Sequence, residues 1–599
     1  MAEFIGYHQS KENFIRSLLE ENKIENIIDQ LKTVNTSKSE EHSWQTSFPA
    51  IAHVLNTITI PQEITIALEY KIPITERRID ALLTGYDDQG CAHAIIIEMK
   101  AWSDENLIID KNSIIYNENS YTHPCYQAFT YKQIFKDYNQ AVQEGNIKIH
   151  SLVFMYKMSD VSALQGRDGI NVFGERDEQR LRHYIAKYLQ KGDNGQVLNT
   201  LYEATINPSL DLRKATKKIL QNNFLLLDEQ KIVFDKICEA IDNTNQSCKK
   251  IIVVQGDAGT GKTIIAASLL AKYADQDIQY ITPNPFIPTK WIIGDVLSKY
   301  RPSAKSQLMD LNEWLNASIK IPNILLVDEA HKIENDFLYA ETDSTFHCII
   351  GKSRICVFFC DPNQITKRYD EGYISSIKEE ADYFETDFQL LPLFTQYRCN
   401  GSSKYINWLL SILEIESELP KMILKANDYP FVICNNPSEI TEYITQKQKE
   451  GYSARVVIGN CYDNLQTGNG NVFNDPDFHW ELTTCKRPNI WGERSEYNHS
   501  VGELFHCTGS EFDYIGVIIG PDLYLKNGKV MADSRRRKKE KDLDFETRWY
   551  DAEYRMRSED YILRIKNLYY TLFTRGMRGC YVYFCDKALE MHFRRYLSE

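Results

Sequence analysis

Apolar residues recur at helical spacing through FIRSLLEENKIENIIDQL (14–31), and a second helical pattern runs through SFPAIAHVLNTI (47–58). The first sixty or so residues therefore read as helical. From ITIALEYKIP (64–73) to SLVFMYK (151–157) the pattern turns strand-like, interrupted by a helix starting near His123. Residues 175–201, ERDEQRLRHYIAKYLQKGDNGQVLNTL, return to helix, and the polar INPSLDLRKATKK (206–218) is the best boundary candidate. Beyond it, short apolar strands alternate with helical segments, the pattern of a parallel sheet with helices on its faces. A two-part chain split near 205–220 is predicted.

Composition narrows the class. A chain of 599 residues should form three to five lobes, on a prior of roughly 150 residues each. Hydrophobic content of 43% and charged content of 25% are ordinary globular values. The net charge of −14 argues against a protein that coats nucleic acid, yet a locally positive channel remains compatible with it. The 14 cysteines form no CxxC pair, and Cys356 and Cys360 flank VFF as core sulfur rather than zinc ligands. No apolar run is long enough to span a membrane, and the Met-Ala-Glu-Phe start lacks the basic-then-apolar order of a signal peptide. A reducing cytoplasm is the expected location.

The strongest local chemistry begins at IIVVQ (251–255), which leads into GDAGTGKT (256–263) and a helix. Strand, glycine-rich turn and helix are the setting in which backbone N–H groups wrap phosphates. Gly256, Gly259 and Gly261 permit the wrapping, Lys262 offers a charge to the β/γ-phosphates, and Thr263 offers a hydroxyl to Mg²⁺. The strand NILLVDEAHKI (323–333) ends in Asp328, suited to hold Mg²⁺, and Glu329, suited to polarise the attacking water. ICVFFCDPNQI (355–365) closes on Asp361 and Gln364, the latter a candidate γ-phosphate sensor. Gln230, in LLLDEQ, is a candidate for reading adenine.

With LFTQYRCNGS (393–402), GSEFDYIGVIIGPDL (509–523) and LYYTLFTRGMRG (568–579), the order of motifs resembles superfamily 1 helicases. The resemblance is closest to the helicase domain of bacterial nuclease–helicase proteins, which is related to the Schlafen helicase domain, and it covers about 220–599. It implies two RecA-like lobes, with Arg398 and Arg575 reaching the γ-phosphate from the second. It also implies that Gly509 and Glu511 couple nucleotide state to strand grip. Thr508 stands where the family usually has Gln. A surface salt bridge is the alternative role for either arginine.

Upstream, ERRIDALLTGYDDQGCAHAIIIEMK (76–100) places Asp80 on one strand and Glu98 and Lys100 at the end of the next. Residues two apart on a strand share a face, so Glu98 and Lys100 point the same way. Two carboxylates there suit Mg²⁺ or Mn²⁺, with Lys100 placing or activating a water. The arrangement resembles the PD-(D/E)xK nuclease core, and HPCYQAFTYKQI (123–134) resembles its following helix through Gln127 and Tyr131. A structural Glu98–Lys100 ion pair is the alternative. Glu69, in LEYKIP, reads as a surface charge at a strand end, with a further acid of the site as the alternative, and the basic run SRRRKKEKD (534–542) as a solvated loop, with phosphate binding as the alternative.

The expected architecture is α/β: a restriction-endonuclease-like α/β nuclease domain at 1–210 with helical flanks, and RecA-like parallel-sheet lobes at 211–392 and 393–599. ATP and Mg²⁺ are the implied cofactors, with Mn²⁺ an alternative at the nuclease site. The implied partner is single-stranded or unwinding double-stranded nucleic acid, DNA before RNA, with no membrane and with a homo-oligomer left open. The layout is similar to bacterial nuclease–helicase immunity proteins, which defend against phages. Two other readings stand beside it: a repair or recombination enzyme, and an ATP-driven nucleic-acid-binding switch with an inactive nuclease-like scaffold.

Overall fold

The computed structural model describes residues 5–598 except 21–22, 33–37, 73–76, 106, 110–112, 118, 166–168, 205–211, 222–225, 227, 244–247, 284–286, 318–321, 334–343, 367–373, 397–398, 400–401, 417, 427, 468–469, 487, 508–509 and 538–557. The chain divides into two compact units, Met1–Ser209 and Leu210–Glu599.

The first unit is built on a six-stranded sheet of β1 (Ile5–Ser10), β2 (Thr65–Lys71), β3 (Arg78–Tyr86), β4 (Ala92–Lys100), β5 (Ile147–Met155) and β6 (Asn171–Gly174), in that spatial order. β1 to β4 pair antiparallel, whereas β4–β5 and β5–β6 are parallel. Alternation decides what each face carries. Ile95, Ile97 and Met99 of β4 enter a core shared with Phe48, Ile51 and Leu55 of helix α1 (Lys38–Thr57). Glu98 takes the opposite face, paired with Val153 of β5. Val153 in turn packs with Ala128 of helix α2 (Pro124–Tyr138), whose N-terminus is capped by His123.

Two local expectations differ from what is observed. The first described element is a strand, β1, because the short IGYHQS segment finds a pairing edge on β2 that periodicity within it cannot reveal. The helix expected over 175–201 is broken into α3 (Glu178–Tyr188) and a second helix, Gln196–Glu203. Between them Gly195 adopts φ +82°, and the buried Asp193 accepts hydrogen bonds from Thr65 N, Thr65 Oγ1, Thr84 Oγ1 and Val197 N. A carboxylate satisfied by that many donors holds the break in place.

The second unit contains two parallel sheets. The first has β7 (Lys250–Gly256), β8 (Ile278–Thr282), β9 (Leu308–Asp310), β10 (Ile324–Val327), β11 (Ile355–Cys360) and β12 (Asp387–Leu393), in spatial order β9-β8-β10-β11-β7-β12. Helices α4 (Asp228–Asn243), α5 (Lys262–Lys272) and α6 (Pro288–Tyr300) belong to the same lobe. Its strands are apolar on both sides, as parallel strands between helical layers must be. Ile252 and Val254 enter one core and Ile251 and Val253 the other. Cys356 and Cys360 lie fully buried in the second of these cores.

The other sheet has β13 (Phe431–Ile433), β14 (Ala454–Ile458), β15 (Glu481–Leu482), β16 (Ser500–Gly502), β17 (Phe512–Ile519) and β18 (Gly576–Phe584), in spatial order β13-β18-β17-β14-β16-β15. Helix α7 (Pro437–Lys449) packs on it, and α8 (Ser558–Phe573) leads into β18. Part of the basic run 534–542 is a folded anchor rather than a solvated loop. Arg537, its side chain 6% exposed, donates to the fully buried Asp522 at 2.9 Å, and Tyr569 Oη donates to the other oxygen of the same carboxylate. A buried carboxylate demands a counter-charge, and this run supplies it. Residues 538–542 lie outside the described residues.

Candidate functional site

Ligands of open parallel sheets gather at the carboxyl ends of the strands, and β7, β10 and β11 deliver the candidate nucleotide residues there. The loop after β7 turns through Gly259 and Gly261 at φ +87° and +90°. The φ of Gly261 favours glycine, and a Cβ there would lie 2.1 Å from Gln230 Nε2 and push that side chain aside. Gln230 donates from that same nitrogen to Thr260 O at 3.1 Å, which places it against the loop. Lys262 donates to Gly256 O at 2.6 Å and Asp257 O at 2.8 Å, and its Nζ lies 3.6 Å from Asp361 Oδ2.

Asp328, one residue beyond β10, accepts from Thr263 Oγ1 at 3.0 Å. Burial, followed by the charge of Glu329, lifts its carboxyl to about 6. Glu329 sits in the left-handed region at φ +55°, a strained conformation for a non-glycine residue of the kind that persists where surrounding structure enforces it. Burial would raise its carboxyl, but His331 and nearby Lys332 and Lys262 outweigh burial and hold it well below the usual range. Asp361 N donates to His331 Nδ1 at 3.3 Å, and His331 Nε2 lies 3.1 Å from Glu329 Oε2. The surrounding charges keep Glu329 ionised. His331 was not picked out from sequence, although DEAH contains it.

Gln364 donates from Nε2 to Asp361 Oδ2 at 2.6 Å and accepts from Arg575 Nη2 at 2.7 Å. Arg575 precedes β18, so the second lobe contributes a guanidinium to the first. Beside it Asn567 of α8 donates to Ile365 O at 3.0 Å. Glu511 lies directly before β17, while Arg398, Thr508 and Gly509 fall outside the described residues.

The second candidate site is in the first unit. The pairs Leu68↔Ala81 and Tyr70↔Ile79 bracket Glu69 and Asp80, and Ala81↔Ile97 sets Asp80 opposite Glu98. Glu69, Asp80 and Glu98 thus form one row across β2, β3 and β4. Asp80 Oδ2 accepts from Met99 N at 2.6 Å, and Glu98 Oε1 from Lys100 Nζ at 2.7 Å. Burial first, then Glu98, raises the Asp80 carboxyl well above its ordinary value against the opposing charge of Lys100. Burial lowers Lys100, but Glu98 and Asp80 more than reverse this and leave it raised.

Glu69 is not the surface charge expected of it. Its side chain is 11% exposed, its backbone holds φ +52°, and Trp44 Nε1 donates to its Oε1 at 2.8 Å. Burial lifts its carboxyl to about 7, with Trp44 and Arg78 opposing and Glu98 adding to the rise. Glu98 Oε2 is buried and, among the described residues, makes no hydrogen bond. Also among the described residues, no three His, Cys, Asp or Glu side chains converge as a complete metal-ligand set. The donors that fit a hard cation are therefore Asp80 and Glu98, with water and phosphate oxygens completing the shell as Mg²⁺ commonly accepts. No helix among the described residues is long and apolar enough to cross a membrane.

The family described as Schlafen group 3, DNA/RNA helicase domain, matches residues 249–586. An uncharacterized protein of Saccharomyces cerevisiae, YPL245W, is 24% identical over 380 residues, covering 57% of this chain and 82% of its own. Among solved structures, the arterivirus nonstructural protein 10 helicase aligns at 12% identity and TM-score 0.27, over 57% of this chain and 61% of its own. Bacteroides Pif1 bound to single-stranded DNA aligns at 11% identity and TM-score 0.25, over 60% and 92%. The DUF1998 helicase MrfA bound to DNA aligns at 10% identity and TM-score 0.28, over 65% and 55%.

Proposed function

Because this chain belongs to the Schlafen group 3 family through its DNA/RNA helicase domain, we propose that it is an ATP-driven motor on nucleic acid joined to a metal-dependent nuclease that cuts the strand the motor moves. In this reading Gly256, Gly259 and Gly261 shape the phosphate loop and Lys262 neutralises the β/γ-phosphates. Thr263 and Asp328 hold Mg²⁺, which supplies charge to the phosphate oxygens when bound. Glu329, kept ionised by His331, accepts the proton of the attacking water. Arg575 and Arg398 bring positive charge to the transferred phosphoryl group from the second lobe. Gln230 reads adenine, Gln364 relays the γ-phosphate, and Gly509 and Glu511 link nucleotide state to strand grip.

The observation that carries this reading is the contact of Arg575 with Gln364, which ties a second-lobe cation to the loop that holds Lys262. A lobe that contributes charge only when closed provides the stepping cycle of such motors.

For the nuclease, Asp80 and Glu98 hold Mg²⁺ or Mn²⁺, Lys100 orients the attacking water, and Glu69 is a further acid beside Asp80 on the neighbouring strand. The proposed domains are 1–210, 211–392 and 393–599, and the proposed substrate is single-stranded or unwinding double-stranded DNA. Antiphage defence is the proposed setting, on the resemblance to nuclease–helicase immunity proteins, and plating efficiency with and without the gene tests it. A second reading, in which the first unit is an inactive scaffold, draws support from the close Glu98–Lys100 pair.

The deciding experiment uses the intact chain. Strand-stimulated ATP hydrolysis is expected to vanish in Lys262→Ala, and cleavage with Mg²⁺ or Mn²⁺ to vanish in Glu98→Ala. Hydrolysis that survives Lys262→Ala removes the motor. Intact protein that cuts neither DNA nor RNA with either metal removes the nuclease and leaves the scaffold.

A further inference from the structure

We propose that Tyr280 is a positioning residue for Asp328, fixing the carboxylate in the orientation that receives Mg²⁺; the inference rests on the motor reading above. Tyr280 is the middle residue of β8 and is fully buried. Its hydroxyl donates to Asp328 Oδ2 at 2.6 Å, and Thr263 Oγ1 donates to the same oxygen at 3.0 Å. The backbone adds a second tie to the same strand, because Asp328 N donates to Ile281 O at 3.0 Å.

Two bonds from one strand determine both the main chain and the side chain of an acid that lies just past the end of β10. Without the hydroxyl, the carboxylate would be oriented by Thr263 alone. Yet Thr263 is the residue whose hydroxyl is needed at the cation, so it cannot serve as a permanent brace. Tyr280 can, since it lies within the core and takes no other part in the chemistry.

A buried phenol in an apolar core is costly unless its hydroxyl is bonded. The ring of Tyr280 packs with Ile278, Ile293 and Leu326 in a core that phenylalanine would fill equally well. Packing therefore accounts for the ring, and the bond to Asp328 accounts for the hydroxyl. Thr289 Oγ1 of α6 lies 3.5 Å from the same oxygen. A phenol has a single proton, and the short bond to the carboxylate uses it.

The test compares the affinity of a non-hydrolysable ATP analogue in EDTA and in saturating Mg²⁺ for intact wild type and Tyr280→Phe. In EDTA the two proteins are expected to bind alike. The gain that Mg²⁺ confers should fall on the order of 10-fold in Tyr280→Phe, as is typical when the partner that orients a metal ligand is lost. The Mg²⁺ concentration for half-maximal ATP hydrolysis should rise in parallel. Thr289→Ala removes the other neighbour of the hydroxyl and is expected to keep the wild-type Mg²⁺ dependence. An unchanged Mg²⁺ gain in Tyr280→Phe overturns the proposal, as does an equal loss in EDTA or an equal loss in Thr289→Ala. Wild type that binds no nucleotide under either condition instead removes the motor reading itself.

Discussion

Arg575 Nη2 donates to Gln364 Oε1 at 2.7 Å across 211 residues of sequence. Gln364 passes the connection to Asp361, and Asp361 faces Lys262 of the phosphate loop. Charge on the second lobe is thereby linked to Lys262, the residue proposed to meet the phosphates, on the first. Both ends of the Gln364 amide are engaged, so its orientation reports on both lobes.

Arg575→Ala should lower kcat for ATP hydrolysis on the order of 10³-fold while changing nucleotide affinity little, as expected of a cation that acts on the transferred phosphoryl group. Gln364→Ala should also lower kcat, and the double variant should be no worse than Arg575→Ala. Steady-state kcat and KM for the three proteins check this; additive losses would mean that the two residues act separately.

Glu69→Gln removes a negative charge beside Asp80 and should reduce Mg²⁺- or Mn²⁺-dependent cleavage on the order of 10-fold, as changes around a metal ligand commonly do. ATP hydrolysis should be untouched, because Glu69 lies in the first unit. Trp44→Phe, which removes the donor to Glu69 Oε1, should give a smaller fall in cleavage. Gel assays of cleavage against metal concentration, run beside ATPase assays on the same preparations, decide the point.

Arg537→Met should destabilise the chain by about 3–5 kcal/mol, because it strands the buried Asp522 without its counter-charge. The salt dependence of nucleic-acid affinity should stay as in wild type. Denaturant titration and binding at several salt concentrations measure both; a shallower salt slope, by about one, would place Arg537 on a phosphate instead.

His150 provides a pH signature for the first unit. Burial, then His93 and the surrounding Lys132, Lys148 and Lys187, depress its ring from 6.5 to about 4. His93 lies 2.9 Å away and itself meets Asp87, while Tyr188 stacks on His150 at 3.8 Å. The unfolded chain takes up this proton more readily than the folded one. Stability is therefore undiminished above the unfolded value near 6.5, and falls as pH drops from there toward about 4. The full loss is at most about 3 kcal/mol. Thermal unfolding of His150→Gln should show a flatter acid-side decline than wild type.

The sequence by itself determined what contiguous residues can determine. The phosphate loop is legible because strand, glycines, Lys262 and Thr263 adjoin one another, and their backbone geometry is set locally. Glu98 and Lys100 could be put on one face because strand alternation is also local. That Asp80 stands beside Glu98 is expected from the acid-then-Glu-x-Lys order, although the register that sets them opposite each other is decided by the pairing of whole strands in the sheet. Only the folded sheet brought Glu69 into the row with Asp80, by turning its backbone to φ +52° under Trp44. His331 and Tyr280 have the same explanation: their roles lie in hydrogen bonds to residues at the ends of other strands. Arg537 looked solvated because its run is basic, yet burial depends on the carboxylate of Asp522, fifteen residues away in sequence. Local chemistry follows from spacing along the chain, whereas long-range partners follow from burial, because a polar group removed from water must find whatever counterpart the tertiary fold brings near.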